Sequence, residues 1–171
     1  KFPIHAQTHP PGPIIFFWSI NFLFEKTYFL TETFYKILSY NFKPFLLKFT
    51  KFQAIGAVFS SFLIPFLSCL SIVPIYYLGK EFYDKKIAII CASFYVFIPA
   101  VALMSPFMDL TYPLLSTTII YFFLTGLKTN KLSYSLVASM LLALGVFFTF
   151  KILMIFLFII TMLAIFLFRE K

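Results

Sequence analysis

Three side chains in this 171-residue sequence stand where chemistry is possible. Asp109 is the single charge in Ser105–Pro113 (SPFMDLTYP), and Lys151 is the single charge between two apolar runs. His9 opens the short motif His9-Pro10-Pro11-Gly12. Ionisable groups beside long apolar runs are costly, so each calls for a reason. A carboxylate pinned between Pro106 and Pro113 could orient a substrate hydroxyl, bind a metal or position a base. Equally, it could be a loop-end carboxylate that merely reaches water. Lys151 could hold a lipid phosphate, or it could snorkel to the interface and mark topology. His5 and His9 lie four apart, which is no metal site without further ligands. The sequence has no G-x-S-x-G, Walker A, H-E-x-x-H or C-x-x-C pattern.

The elements that must position these groups are apolar. The chain is 61% hydrophobic and 12% charged, with 27 Phe, 10 Tyr and 1 Trp; its mean hydropathy is +0.96. A soluble domain is nearer a quarter charged, and so few polar groups could not cover a surface in water. The composition therefore predicts an integral membrane protein. Its net charge of +8 comes from lysines in short segments between apolar runs, the pattern of membrane flanks and not of a nucleic-acid groove. Cys69 and Cys91 fall inside apolar runs, with no metal-ligand neighbour.

About 20 apolar residues cross a bilayer as a helix. Uncharged runs at 54–78, 87–108, 110–127, 132–150 and 152–168 predict five transmembrane helices. They lack the alternation of barrel strands, so the fold class is all-α membrane. Residues 1–53 form a separate interfacial segment. Within it Pro13–Phe24 is too short to span comfortably, and the lysine- and aromatic-rich stretch to Phe52 suggests amphipathic helices interrupted at Pro44. The beginning at Lys1 suggests an excerpt from a longer protein.

Five antiparallel spans sort the joints onto two sides. Residues 1–53, Asp109 and Lys151 share side one; the 79–86 loop, the 128–131 loop and the C-terminus share side two. Each side carries seven Lys and Arg, but those of side two are far denser, which favours side two as cytoplasmic.

Thr8–Pro13 (THPPGP) before an apolar run resembles the HPPG-type segment of GT-C glycosyltransferases, the group that includes protein O-mannosyltransferases, aminoarabinose transferases and RgtA/B/C/D-like enzymes. In the same order, Tyr77-Leu78-Gly79-Lys80 with Phe82-Tyr83 and Lys85-Lys86 resembles that family's cytoplasmic turn. Pro99 followed by Asp109 resembles its "P…D" stretch, and Phe148-Thr149-Phe150-Lys151 its "lltK" segment. The similarity spans nearly the whole chain, and HPPG is its sharpest motif.

This resemblance implies transfer of a sugar from a polyprenyl-phosphate donor to a glycan, lipid or protein acceptor on the extracytoplasmic face, which would be side one. It implies inversion with a carboxylate base and often a divalent metal. Asp109 would then assist acceptor or metal positioning. Lys151 would sit near the donor phosphate, and His9, Pro10, Pro11 and Gly12 would shape the floor of the site. The family's principal catalytic Asp would precede Lys1, so this chain alone is expected to be inactive. Two other classes compete: a transporter or flippase module for lipid-linked intermediates, and a non-catalytic membrane subunit. The first would place its charges near mid-membrane on broken helices. The second would tolerate change at His9, Asp109 and Lys151.

Overall fold

The computed structural model of the chain describes residues 10–46, 49–103 and 105–169, and among them every regular element is helical. His9 and His5 fall outside the described residues. Helix α1 (Gly12–Lys26) starts behind Pro11, with Pro13 in its first turn, where a missing N–H costs nothing. Thr27 breaks it; its hydroxyl and its N–H both donate to the Leu23 carbonyl. Helix α2 (Tyr28–Leu46) follows, and its backbone continues past Pro44, which does not interrupt it.

Helices α3 (Lys51–Cys69) and α4 (Ile72–Phe82) form one long apolar path with a jog at Leu70–Ser71. The jog has a local cause. Pro74 lacks the amide that would bond the Leu70 carbonyl, and the Val73 N–H takes that oxygen instead at 3.1 Å. Ser68, one turn earlier, shares a 2.8 Å hydrogen bond with the Tyr95 hydroxyl. That bond ties the jog to the next break.

The expected single helix over 87–108 is not formed. Helix α5 (Lys85–Phe94) tightens into a 3-10 turn at Tyr95–Phe97, Ile98 is extended, and a short helix α6 (Pro99–Leu103) follows. The cause is Pro99, whose ring drives the preceding residue out of the helical region. The absence of charge could not reveal that break.

A 3-10 turn (Met108–Thr111) then leads into α7 (Tyr112–Thr129), which ends at Asn130 in the left-handed region (φ 53°). That conformation reverses the chain into α8 (Leu132–Phe148). A last 3-10 turn (Phe150–Ile152) opens α9 (Leu153–Arg169). Among the described residues two paths, Lys51–Phe82 and Met108–Thr129, are long and apolar enough to cross a membrane; the apolar stretches Leu132–Phe148 and Phe150–Ile165 are shorter. At 1.5 Å per residue, a 17-residue helix is about 25 Å long, just under a typical hydrocarbon thickness.

The buried core is small. Ile20 and Phe24 of α1 meet Ile55 of α3, with Tyr35 and Leu38 of α2 packed alongside. Phe62, Phe66 and many other large apolar residues face outward. A surface this apolar is suited to lipid or to further helices.

Candidate functional site at one end of the helices

Asp109 and Lys151 are 42 residues apart in sequence, and their side chains meet at 2.6 Å (Nζ to Oδ2). Each is carried by a 3-10 turn whose neighbours are buried. Beside Asp109, Leu110 and Thr111 are buried, and the Thr111 hydroxyl donates to the Met108 carbonyl at 2.8 Å. Beside Lys151, Ile152 is 2% exposed and sits against Gly145, where a Cβ would stand 2.9 Å from its Cδ1. The Thr149 N–H donates to Gly145 O at 2.8 Å, and the Thr149 hydroxyl accepts the Lys151 N–H at 3.2 Å. The turns are anchored while their charges project. The Lys151 and Asp109 side chains remain 69% and 45% exposed, so an incoming ligand can reach both.

Lys151 also lies 5.5 Å from the centre of the Tyr112 ring. The hydrogen bond to Asp109 raises the pKa of this ammonium, which sits in the joint before α9, above its ordinary value. The pair is a charge-assisted hydrogen bond whose two halves can separate. Lys151 offers a cation to an anion, and Asp109 then offers a free carboxylate to a hydroxyl.

The Pro10–Gly12 segment arrives at the same end. Pro10 and Gly12 are buried, and Pro11 is exposed. A Cβ on Gly12 would stand 2.6 Å from the Phe147 carbonyl oxygen and 2.7 Å from the Phe148 Cα. Only glycine lets the start of α1 approach the end of α8 this closely. Thus Gly12 touches the chain three residues before Lys151. Of the sequence-predicted site residues, Pro10, Gly12, Asp109 and Lys151 all lie at the end formed by the joints.

Sequence reasoning missed a cleft of about 530 Å³ between α1 and α3. Its lining includes Asn21, Gln53, Ser60 and Ser61, and Pro106, three residues from Asp109, closes one wall. The Asn21 side chain lies over Gly56, where a Cβ would meet Asn21 Oδ1. A lone Asn inside Pro13–Phe24 was the available signal, since an amide in an apolar run needs an outlet.

Among the described residues no three His, Cys, Asp or Glu side chains gather as metal ligands. Asp109, a single carboxylate already engaged by an ammonium, does not fit a divalent ion by itself. Comparison with known proteins found no matching family model, no matching curated protein and no matching solved structure.

Proposed function

We propose that the protein is a multi-pass membrane glycosyltransferase that moves a sugar from a polyprenyl-phosphate donor to an acceptor at the end of the helices bearing Asp109. The observation that carries this reading is the Asp109–Lys151 pair, exposed and anchored beside the Pro10–Gly12 segment. On this reading the paths 51–82 and 108–129 span the bilayer, and α5–α6, α8 and α9 complete about five crossings. Residues 10–46 lie at the interface.

The donor phosphate would draw Lys151 away from Asp109. In the displacement, the acceptor oxygen bonds to the anomeric carbon as the bond to the phosphate oxygen breaks, and the hydroxyl proton passes to the freed Asp109 carboxylate. Lys151 offsets charge on the departing phosphate, while Asp109 orients the acceptor hydroxyl. The neutral amides and hydroxyls of the α1–α3 cleft give the acceptor room, at a volume ordinary for small-molecule sites. A second reading, transport of lipid-linked intermediates, draws on the break at Ile98, since transporters bind at interrupted helices.

The test is sugar release from a labelled polyprenyl-phosphate sugar in membranes with and without the full-length protein. Acceptor-dependent transfer that falls in Lys151→Gln supports the enzyme. Movement of the intact lipid between leaflets, with no transfer, would instead favour the transport reading.

A further inference from the structure

The opposite end of the helices is built by two tight hairpins. In one, Gly79 lies against Ala88, where a Cβ would stand 3.1 Å from the Ala88 Cα. In the other, Gly126 lies against Tyr134 and Ser135. The two hairpins are joined where Lys128 Nζ donates to Glu81 Oε2 at 2.6 Å and to the Glu81 carbonyl at 3.0 Å. Five lysines (80, 85, 86, 128 and 131) thereby share one face, and all are exposed.

The two acids of those hairpins are both occupied. Glu81 holds Lys128, and Asp84 caps α5 by accepting the Ile87 N–H at 2.8 Å. Among the described residues, Lys80, Lys85, Lys86 and Lys131 therefore have no carboxylate partner. Lys85 and Lys86 are also the first two residues of α5, where the positive end of the helix dipole disfavours a cation. This face asks for an anion from outside.

Beside it runs an apolar groove of about 420 Å³ between α4 and α7, whose walls include Leu70, Val73, Tyr77, Thr118 and Tyr121. Tyr77 and Tyr121 stand 5.7 Å apart, centre to centre, at the end nearer the lysines. Lys80 follows Tyr77 by one helical turn. From Leu114 to Tyr121 the α7 wall rises about 10 Å, room for part of an acyl chain. Val73, 52% exposed, leaves the groove open along the flank of the helices.

We propose that this end binds one anionic phospholipid, its phosphate among Lys80, Lys85, Lys86 and Lys131 and an acyl chain in the α4–α7 groove. Charge complementarity selects the anionic headgroup, and the nearly unbroken apolar lining selects the chain. The inference rests on the membrane reading and not on sugar transfer, so loss of transferase activity leaves it standing.

The experiment is native mass spectrometry of the purified full chain, titrated with phosphatidylglycerol and phosphatidylcholine of identical acyl chains. Retention of phosphatidylglycerol is expected to exceed that of phosphatidylcholine by about tenfold at low salt. The combined variant K80Q/K85Q/K86Q/K131Q is expected to bring the ratio near one, while the matching Lys→Arg variant keeps it. Val73→Trp, filling the groove, is expected to reduce retention of both lipids. Equal retention by the wild type, or an undiminished preference in the Lys→Gln variant, would overturn the headgroup site. Unchanged retention in Val73→Trp would overturn the groove. No lipid on the wild type, as when another helix fills the groove, would overturn the whole proposal.

Discussion

The two ends of the helices each carry an ion pair of the same length, 2.6 Å, yet their surroundings differ. At the end with Gly79 and Gly126, Lys128 is held twice by Glu81, once by its carboxylate and once by its carbonyl, and it clips two hairpins together. At the other end Lys151 is held once by Asp109, next to a polar cleft and the arrival of Pro10–Gly12. The first pair is surrounded by further lysines. The second pair includes the one acid of its joints. Ion-pair geometry alone marks neither as a site; what stands around the pair does.

The largest expected difference is in chemistry. Lys151→Gln should lower sugar transfer by about a hundredfold or more, because a fixed cation at a departing phosphate is lost. Lys128→Gln should stay within about twofold, read in the same membrane assay. If the two variants fall together, the ends do not differ in function.

Next comes packing. Gly12→Ala sets a methyl into backbone at 2.6–2.7 Å and should lower stability by about 1–3 kcal/mol, read as a drop in unfolding midpoint in detergent. Gly79→Ala meets Ala88 at 3.1–3.2 Å and should cost less, about 1 kcal/mol or below. A reversed order would show that the approach of α1 to α8 is not tight.

The smallest effects are electrostatic. Neutralising either lysine of the 2.6 Å pairs should change stability by less than about 1 kcal/mol, because both pairs are exposed. Glu32, hydrogen-bonded to Lys51 at the start of α3, has its pKa lowered below 4.5 by that lysine. Its contribution is present above the unfolded carboxylate value and lost as pH falls through the lower folded value. Glu32→Gln should therefore flatten the acid limb of a midpoint-versus-pH curve, leaving neutral pH almost unchanged.

Much of this was legible in the residues, for reasons that can be named. Charge-free runs bounded by lysines and the KTNK turn gave the helical class and the α7–α8 hairpin, because polarity marks where apolar helices must stop. Asp109 and Lys151 stood out because a lone charge in an apolar joint is costly, and the fold brings the two together at 2.6 Å. The break at Ile98 is invisible to hydropathy, which ignores φ and ψ, but the proline at 99 within the run pointed to a kink there. Pro44 misled in the opposite direction, since the α2 backbone is helical on both sides of it. The cleft was illegible because Asn21 and Gln53 are brought together only by packing of α1 on α3.

The central claim is that the Asp109 end performs sugar transfer and the Glu81 end does not. Its most direct test compares transfer from a polyprenyl-phosphate sugar by the full-length wild type, Asp109→Asn and Glu81→Gln at matched abundance in membranes. The account predicts transfer by the wild type, near-wild-type transfer by Glu81→Gln, and loss in Asp109→Asn. Equal transfer by all three, or none from the folded wild type, would contradict it.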